Sequence, residues 1–111
     1  MSMNSDIRAV DTGPFPNPGT FLKPERIQEL LLALPGWRLA KEGKAIERTW
    51  TMPSGQVAAL FGAYVSTYGK ALGLEVVLGL GDRLARVTLS QQVGCETGLT
   101  ESVFELARVI G

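Results

Sequence analysis

The chain has 111 residues, with eleven basic and eleven acidic side chains and no histidine. That length suits one independently folding domain, and the cancelled charge argues against a nucleic-acid partner. Cys95 is the only cysteine, which excludes an internal disulfide and, without imidazole, leaves zinc almost without ligands, so neither a metal nor a cofactor is expected.

The opening MSMNSDIRAV has no basic region followed by an apolar run, so no secretory signal is read there. Residues 11–20, DTGPFPNPGT, carry three prolines and two glycines, which starve the segment of helix and ladder hydrogen bonds. Residues 1–21 are therefore expected to form an irregular arm, and 22–111 the domain. Phe15 is either a clip onto the domain or a partner, or simply part of a loose leader.

Pro24 suits a first helical position, and Ile27, Leu30, Leu31 and Leu34 follow at helical spacing before Pro35-Gly36 stops the run. GWRLA and KAIERTWTM flank KEG, which predicts a hairpin. Ile46, Arg48, Trp50 and Met52 then share one face of the second strand.

Pro53-Ser54 predicts a helix cap. Val57, Leu60, Phe61, Tyr64, Val65, Tyr68 and Leu72 form a broad stripe expected to face the core. The other side carries Ala58, Ala59, Gly62, Ala63, Ser66 and Gly69, and Lys70 is its only charge. Glycines cost about 1 kcal/mol each in a helix relative to alanine. The small residues are thus expected to pack against another helix, of the same chain or of a second subunit, the alternative being a weakly polar surface. The apolar run 57–80 is broken by glycines, Lys70 and Glu75, which makes it a poor membrane span. No membrane partner and a cytoplasmic location are expected.

LGDR at 80–83 suits a two-residue hairpin turn, pairing Leu80 with Arg83, Leu78 with Ala85 and Val76 with Val87. Val76, Leu78, Ala85, Val87 and Leu89 then fall on one face and Glu75, Val77, Leu84, Arg86 and Thr88 on the other. Thr100 is expected to cap a last helix whose inner face holds Val103, Leu106, Ala107 and Ile110. The order αββαββα predicts an α+β fold, a four-stranded antiparallel sheet with helices packed on one face.

Catalytic chemistry is harder to place. A histidine-free chain must tune a carboxylate or lysine to work near neutral pH. Glu75 is one such carboxylate, or an ordinary exposed strand residue near Arg86. Arg48 interrupts an apolar face; it lines a cleft, binds a carboxylate, or lets its head reach solvent at the sheet edge. GLGDRL precedes a strand instead of a helix, so it is not read as a phosphate loop.

LPGW at 34–37, AIERTW at 45–50, the long helix, VTLSQ at 87–91 and GLTESVFELARVI at 98–110 together resemble the pterin-4a-carbinolamine dehydratase family. The resemblance covers Pro24 to Ile110. It implies a His-His-Pro run after the long helix and a third histidine at the end of the last strand, where an ungapped reading puts Leu74, Glu75, Val76 and Gln92. No catalytic residue is therefore expected, and the chain is similar to a degenerate branch, the dehydratase-like Rubisco assembly factors associated with α-carboxysomes. That resemblance implies a Rubisco large subunit as partner, with Arg48, Leu74, Glu75, Arg86 and Gln92 around the vacated pocket as the contact surface. It also implies a homodimer or homotetramer. The oligomer contacts are expected from Ala58, Ala59, Gly62, Ala63, Ser66 and Gly69 by helix packing, and from Val76 and Leu78 if their strand is a sheet edge. A pterin-binding protein using Trp37 or Trp50 and a dimerisation cofactor of a transcription regulator are the alternatives.

Overall fold

The computed structural model of the chain describes residues 20–111; most of the expected arm, with Phe15, lies outside the described residues. Helix α1 (Pro24–Leu32) starts with proline at its first position, where the missing N–H has no helical partner to lose. It ends one turn before Pro35, and Leu34 turns inward beyond it to become buried, while Leu32 is left exposed. Strands β1 (Arg38–Ala40) and β2 (Ala45–Thr51) form the expected hairpin. The turn between them places Lys41, Glu42 and Gly43 in the left-handed region, which only the glycine adopts without strain.

Helix α2 (Gly55–Ala71) is capped by Ser54, whose Oγ accepts from the Val57 N–H at 3.2 Å. At its other end Gly73 takes a positive φ, its N–H donates to the Lys70 carbonyl, and the Leu74 N–H donates to the Gly69 carbonyl at 2.9 Å. This pair of bonds closes the helix in a Schellman motif, with Leu74 as its hydrophobic anchor. Strands β3 (Glu75–Leu80) and β4 (Leu84–Val93) follow, then β5 (Glu96–Gly98) and helix α3 (Glu101–Ile110).

The antiparallel sheet has the order β1-β2-β4-β3, with β5 folding back on the end of β4. The expected fold is thus present, with β5 as an addition: β4 runs on to Val93 and reverses through Gly94-Cys95, where the left-handed Gly94 makes the tight turn. Ile46, Val87 and Leu89 on one face of the sheet pack with Val65 of α2 and with Val103, Phe104, Leu106 and Ala107 of α3. The helices therefore cover one face, and Thr49, Val77 and Arg86 look out from the other. Phe21 closes one end of the domain by lying on Gly98, where a Cβ would come within 2.8 Å of the ring, and the Leu22 N–H donates to the Leu99 carbonyl.

Two expectations need correction. In the β3–β4 hairpin Val76 pairs with Leu89, Leu78 with Val87 and Leu80 with Ala85. The pair Leu80–Ala85 leaves four residues between its members, and the Gly81 N–H donates to the Leu84 carbonyl at 2.9 Å, so the turn sits one residue later than expected, the register moves by two and every side chain keeps its expected face. The second correction concerns α2, whose small residues face the sheet. Ala58, Gly62, Val65 and Gly69 are its buried positions. Gly62 lies against Leu78 and Leu80, and Gly69 against Val76. Ala58, Gly62 and Gly69 are thus spent inside the chain and cannot form a subunit interface, Ser66 is half-buried, and only Ala59 and Ala63 of that set are exposed. The physical reason is close approach: with no side chain at Gly62 and Gly69 and only a methyl at Ala58, the helix axis settles low on the sheet. The bulky stripe is consequently left outside, with Leu60 71% and Tyr64 47% exposed, beside exposed Val57, Tyr68 and Leu72. Phe61 and Val65 alone among that stripe pack inward.

Candidate functional site

The residues expected to share one pocket divide between places set by strand parity and helix termination. Arg48 points to the helix-covered face of β2, where its side chain crosses Trp50 with the guanidinium carbon 4.9 Å from the ring centroid. Its Nη1 donates to the carbonyls of Pro35 at 3.1 Å and Gly111 at 3.4 Å. Gly36 has a positive φ and no side chain, and both properties are used: a Cβ there would come within 2.8 Å of the Arg48 Nε. Trp37 meets Trp50 edge-on at 5.6 Å, and Trp50 meets Phe61 at 4.8 Å, a geometry aromatic quadrupoles favour.

Arg86 projects from the opposite face of the sheet, where it neighbours Thr49 and Gly79. Arg48 and Arg86 therefore cannot line one pocket within a single chain. Leu74 is 8% exposed, so its side chain serves the helix end and is withdrawn from any contact surface. Val76 and Leu78 are half-buried against the core beneath α2, and their side chains are likewise committed. The main chain of β3 is another matter, because β3 is the outermost strand of the sheet and keeps one row of peptide groups unpaired.

Glu75 and Gln92 are both exposed. Glu75 pairs with Ser90 and Gln92 with Thr97, which puts them at one end of the sheet. Arg86 is six positions from Gln92 along β4, about 20 Å at strand spacing. Gln92 donates to the Gly94 carbonyl at 3.3 Å. The buried amide is its neighbour Gln91, whose Oε1 accepts from the Thr100 hydroxyl and whose Nε2 donates to the Gly73 carbonyl at 3.4 Å. This network ties the end of α2, β4 and the start of α3 together. Thr100 spends its hydroxyl on Gln91 and gives α3 no side-chain cap, contrary to the capping expectation. A polar residue in the alternating continuation of β4 was the available signal, and it was missed because parity alone does not say where β5 and α3 close over the strand.

Among the described residues no three His, Cys, Asp or Glu side chains cluster as metal ligands, and no helix is long and apolar enough to cross a membrane. Cys95 is exposed in the β4–β5 turn. Arg26 links α1 to α3 through Glu101 at 3.0 Å and also meets Glu29 at 3.1 Å. Its hydrogen bond to Glu101, then that to Glu29, raise its pKa; the group is surface-exposed and structural.

No family model matches the chain. Over 69 residues, 62% of the chain, it is 35% identical to a protein of Paracoccus denitrificans (strain Pd 1222) provisionally named pterin-4-alpha-carbinolamine dehydratase. The match spans 64% of that relative's length. The crystal structure of a transcriptional coactivator/pterin dehydratase from Brucella melitensis is similar with a TM-score of 0.70 and 25% identity, covering 82% of this chain and 95% of the other. The architecture is that of the pterin dehydratases.

Proposed function

We propose that this chain uses the pterin dehydratase architecture as a binding platform without dehydratase chemistry, and that it assists Rubisco assembly in association with α-carboxysomes. The observation that carries the first half is the absence of any imidazole from the chain. Loss of water from a carbinolamine needs one group to protonate the leaving hydroxyl and another to take up a proton. Of the positions matched to the family's histidines, Leu74 closes a helix and Gln92 has no useful pKa, while Val76, matched to the proline of the run, packs under α2. Glu75 alone could carry a proton, and a single solvent-exposed carboxylate is a poor substitute for that set.

The second half rests on the resemblance to the degenerate, carboxysome-associated branch. Rubisco large subunits would meet the helix-free face and end of the sheet, where Glu75, Arg86 and Gln92 are exposed. Self-association would use the bulky outer face of α2, where Tyr64 and Tyr68 stack edge-on at 5.9 Å above a shallow apolar groove with Ala63 and Ala71. A binder that prefers a correctly docked subunit shifts the population toward it by mass action, about 2.7 kcal/mol at a hundred times its dissociation constant.

Co-expression with a carboxysomal Rubisco and a chaperonin in a foreign bacterial host tests this reading. The yield of assembled Rubisco should rise with the wild-type chain and fall back with the Glu75→Lys, Arg86→Glu double variant. An unchanged yield at matched expression refutes the Rubisco assignment. The similarity to a transcriptional coactivator/pterin dehydratase favours a second reading, a coactivator-like partner of a transcription regulator. That reading predicts capture of a regulator and no effect on Rubisco.

A further inference from the structure

We infer that the Pro-rich stretch PFPNP, residues 14–18, docks in cis as a polyproline II strand in the tyrosine-lined groove on the outer face of α2. The stretch lies outside the described residues, and the point where its chain enters the domain sets its reach. The groove holds about 550 Å3 and is lined by Ala63, Tyr64, Thr67, Tyr68 and Ala71. Both tyrosines are exposed and stand edge-on to each other. Beside them the small side chains of Ala63, Thr67 and Ala71 leave room for a narrow apolar ligand.

The chain enters at the matching end of that helix. Phe21 lies on Gly98, Gly98 pairs with Gln91, and the Gln91 side chain donates to the Gly73 carbonyl just beyond the C-terminus of α2. One strand spacing, about 5 Å, and one glutamine side chain thus separate the seat of Phe21 from the helix end. Tyr68 lies a further ~8 Å along α2 at about 1.5 Å per residue. From Phe21 back to Phe15 a polyproline II chain covers roughly 19 Å at about 3.1 Å per residue. That reach lays Phe15 on Tyr68 and directs Pro14 toward Tyr64.

The composition of the stretch matches the groove. Pro14, Pro16 and Pro18 fix φ near the polyproline II value, so little conformational freedom is left to lose on docking. Such strands dock in aromatic-lined grooves, where rings pack on prolines and hydroxyls donate to carbonyls that have no partner within the strand. Tyr64 and Tyr68 supply both. Attachment to the domain presents the stretch at an effective concentration on the order of millimolar, which favours it over a separate peptide. Val57 and Leu60, at the other end of α2, stay outside the docked segment. The inference stands apart from the Rubisco reading, and it bears on self-association only in that a second copy seeking Tyr68 must displace the stretch.

The test uses the full chain with Asn17→Cys and Cys95→Ser, spin-labelled at the introduced thiol and isotope-enriched for amide relaxation. The amides of Ala63 and Thr67 are expected to broaden while that of Val57 stays sharp. A Phe15→Ser, Pro16→Ser double variant keeps the tether length and should lose the broadening at Ala63. Thr67→Glu, which places a charge in the groove at an exposed position, should lose it too. A mixture of spin-labelled unenriched chain with enriched unlabelled chain should show none. Leu60→Glu, which removes a self-association contact, should leave the broadening intact, so failure of that contact and failure of this inference are told apart. The inference is overturned by sharp Ala63 and Thr67 amides in the labelled chain, by broadening that survives Phe15→Ser, Pro16→Ser or Thr67→Glu, or by broadening in the mixture, which would place the arm of one copy on another.

Discussion

Gly69 of α2 and Val76 of β3 meet so closely that a Cβ built on Gly69 would overlap the Val76 Cγ2. This contact explains why α2 carries small residues on one side and why its large ones stay outside. Overpacking costs about 1–3 kcal/mol, and alanine's helix propensity returns about 1. Gly69→Ala should therefore lose up to about 2 kcal/mol in urea denaturation, with partial rescue by Val76→Ala. At Gly62 the nearest atom to a new Cβ is Leu78 Cδ1 at 3.2 Å, the end of a side chain that can move. Gly62→Ala should be neutral or gain up to about 1 kcal/mol. Equal effects at the two sites would contradict the close-approach account.

The buried link between Gln91 and Thr100 makes a second prediction. Thr100→Val leaves the Gln91 Oε1 without its donor while preserving shape. A loss of about 1–3 kcal/mol is expected, read as a lower urea midpoint with an unchanged slope. A neutral result would mean that solvent replaces the hydroxyl and that this junction is open.

The exposed stripe of α2 predicts self-association. The wild-type chain should sediment as a dimer or tetramer, and a Leu60→Glu, Tyr64→Glu double variant as a monomer with unchanged circular dichroism. Neither side chain supports the core, so loss of fold is not expected from either substitution. A wild-type monomer at high micromolar concentration would remove this surface from the account.

Much of the fold was legible because alternation and helical spacing are local. Parity placed Ile46, Arg48 and Trp50 on one side and Arg86 on the other, and it survived a two-residue error in register since a shift by two preserves faces. That same parity already separated Arg48 from Arg86, so their grouping into one pocket came from the resemblance. The orientation of α2 was not legible: hydrophobic periodicity assigns the core to the largest side chains, whereas the distance of approach to β3 favoured glycine. The Gln91 network was also out of reach, because it depends on which distant segments close over the residue.

The central claim is that this architecture works here without acid/base chemistry, and the direct measurement is the rate of dehydration of a pterin 4a-carbinolamine with and without the purified chain. A rate indistinguishable from buffer, unchanged by Glu75→Gln, is the predicted result. Positioned acid or base groups typically contribute about 10²–10⁴-fold. An acceleration of that size, abolished by Glu75→Gln, would contradict the account and make Glu75 the catalytic residue of a histidine-free dehydratase.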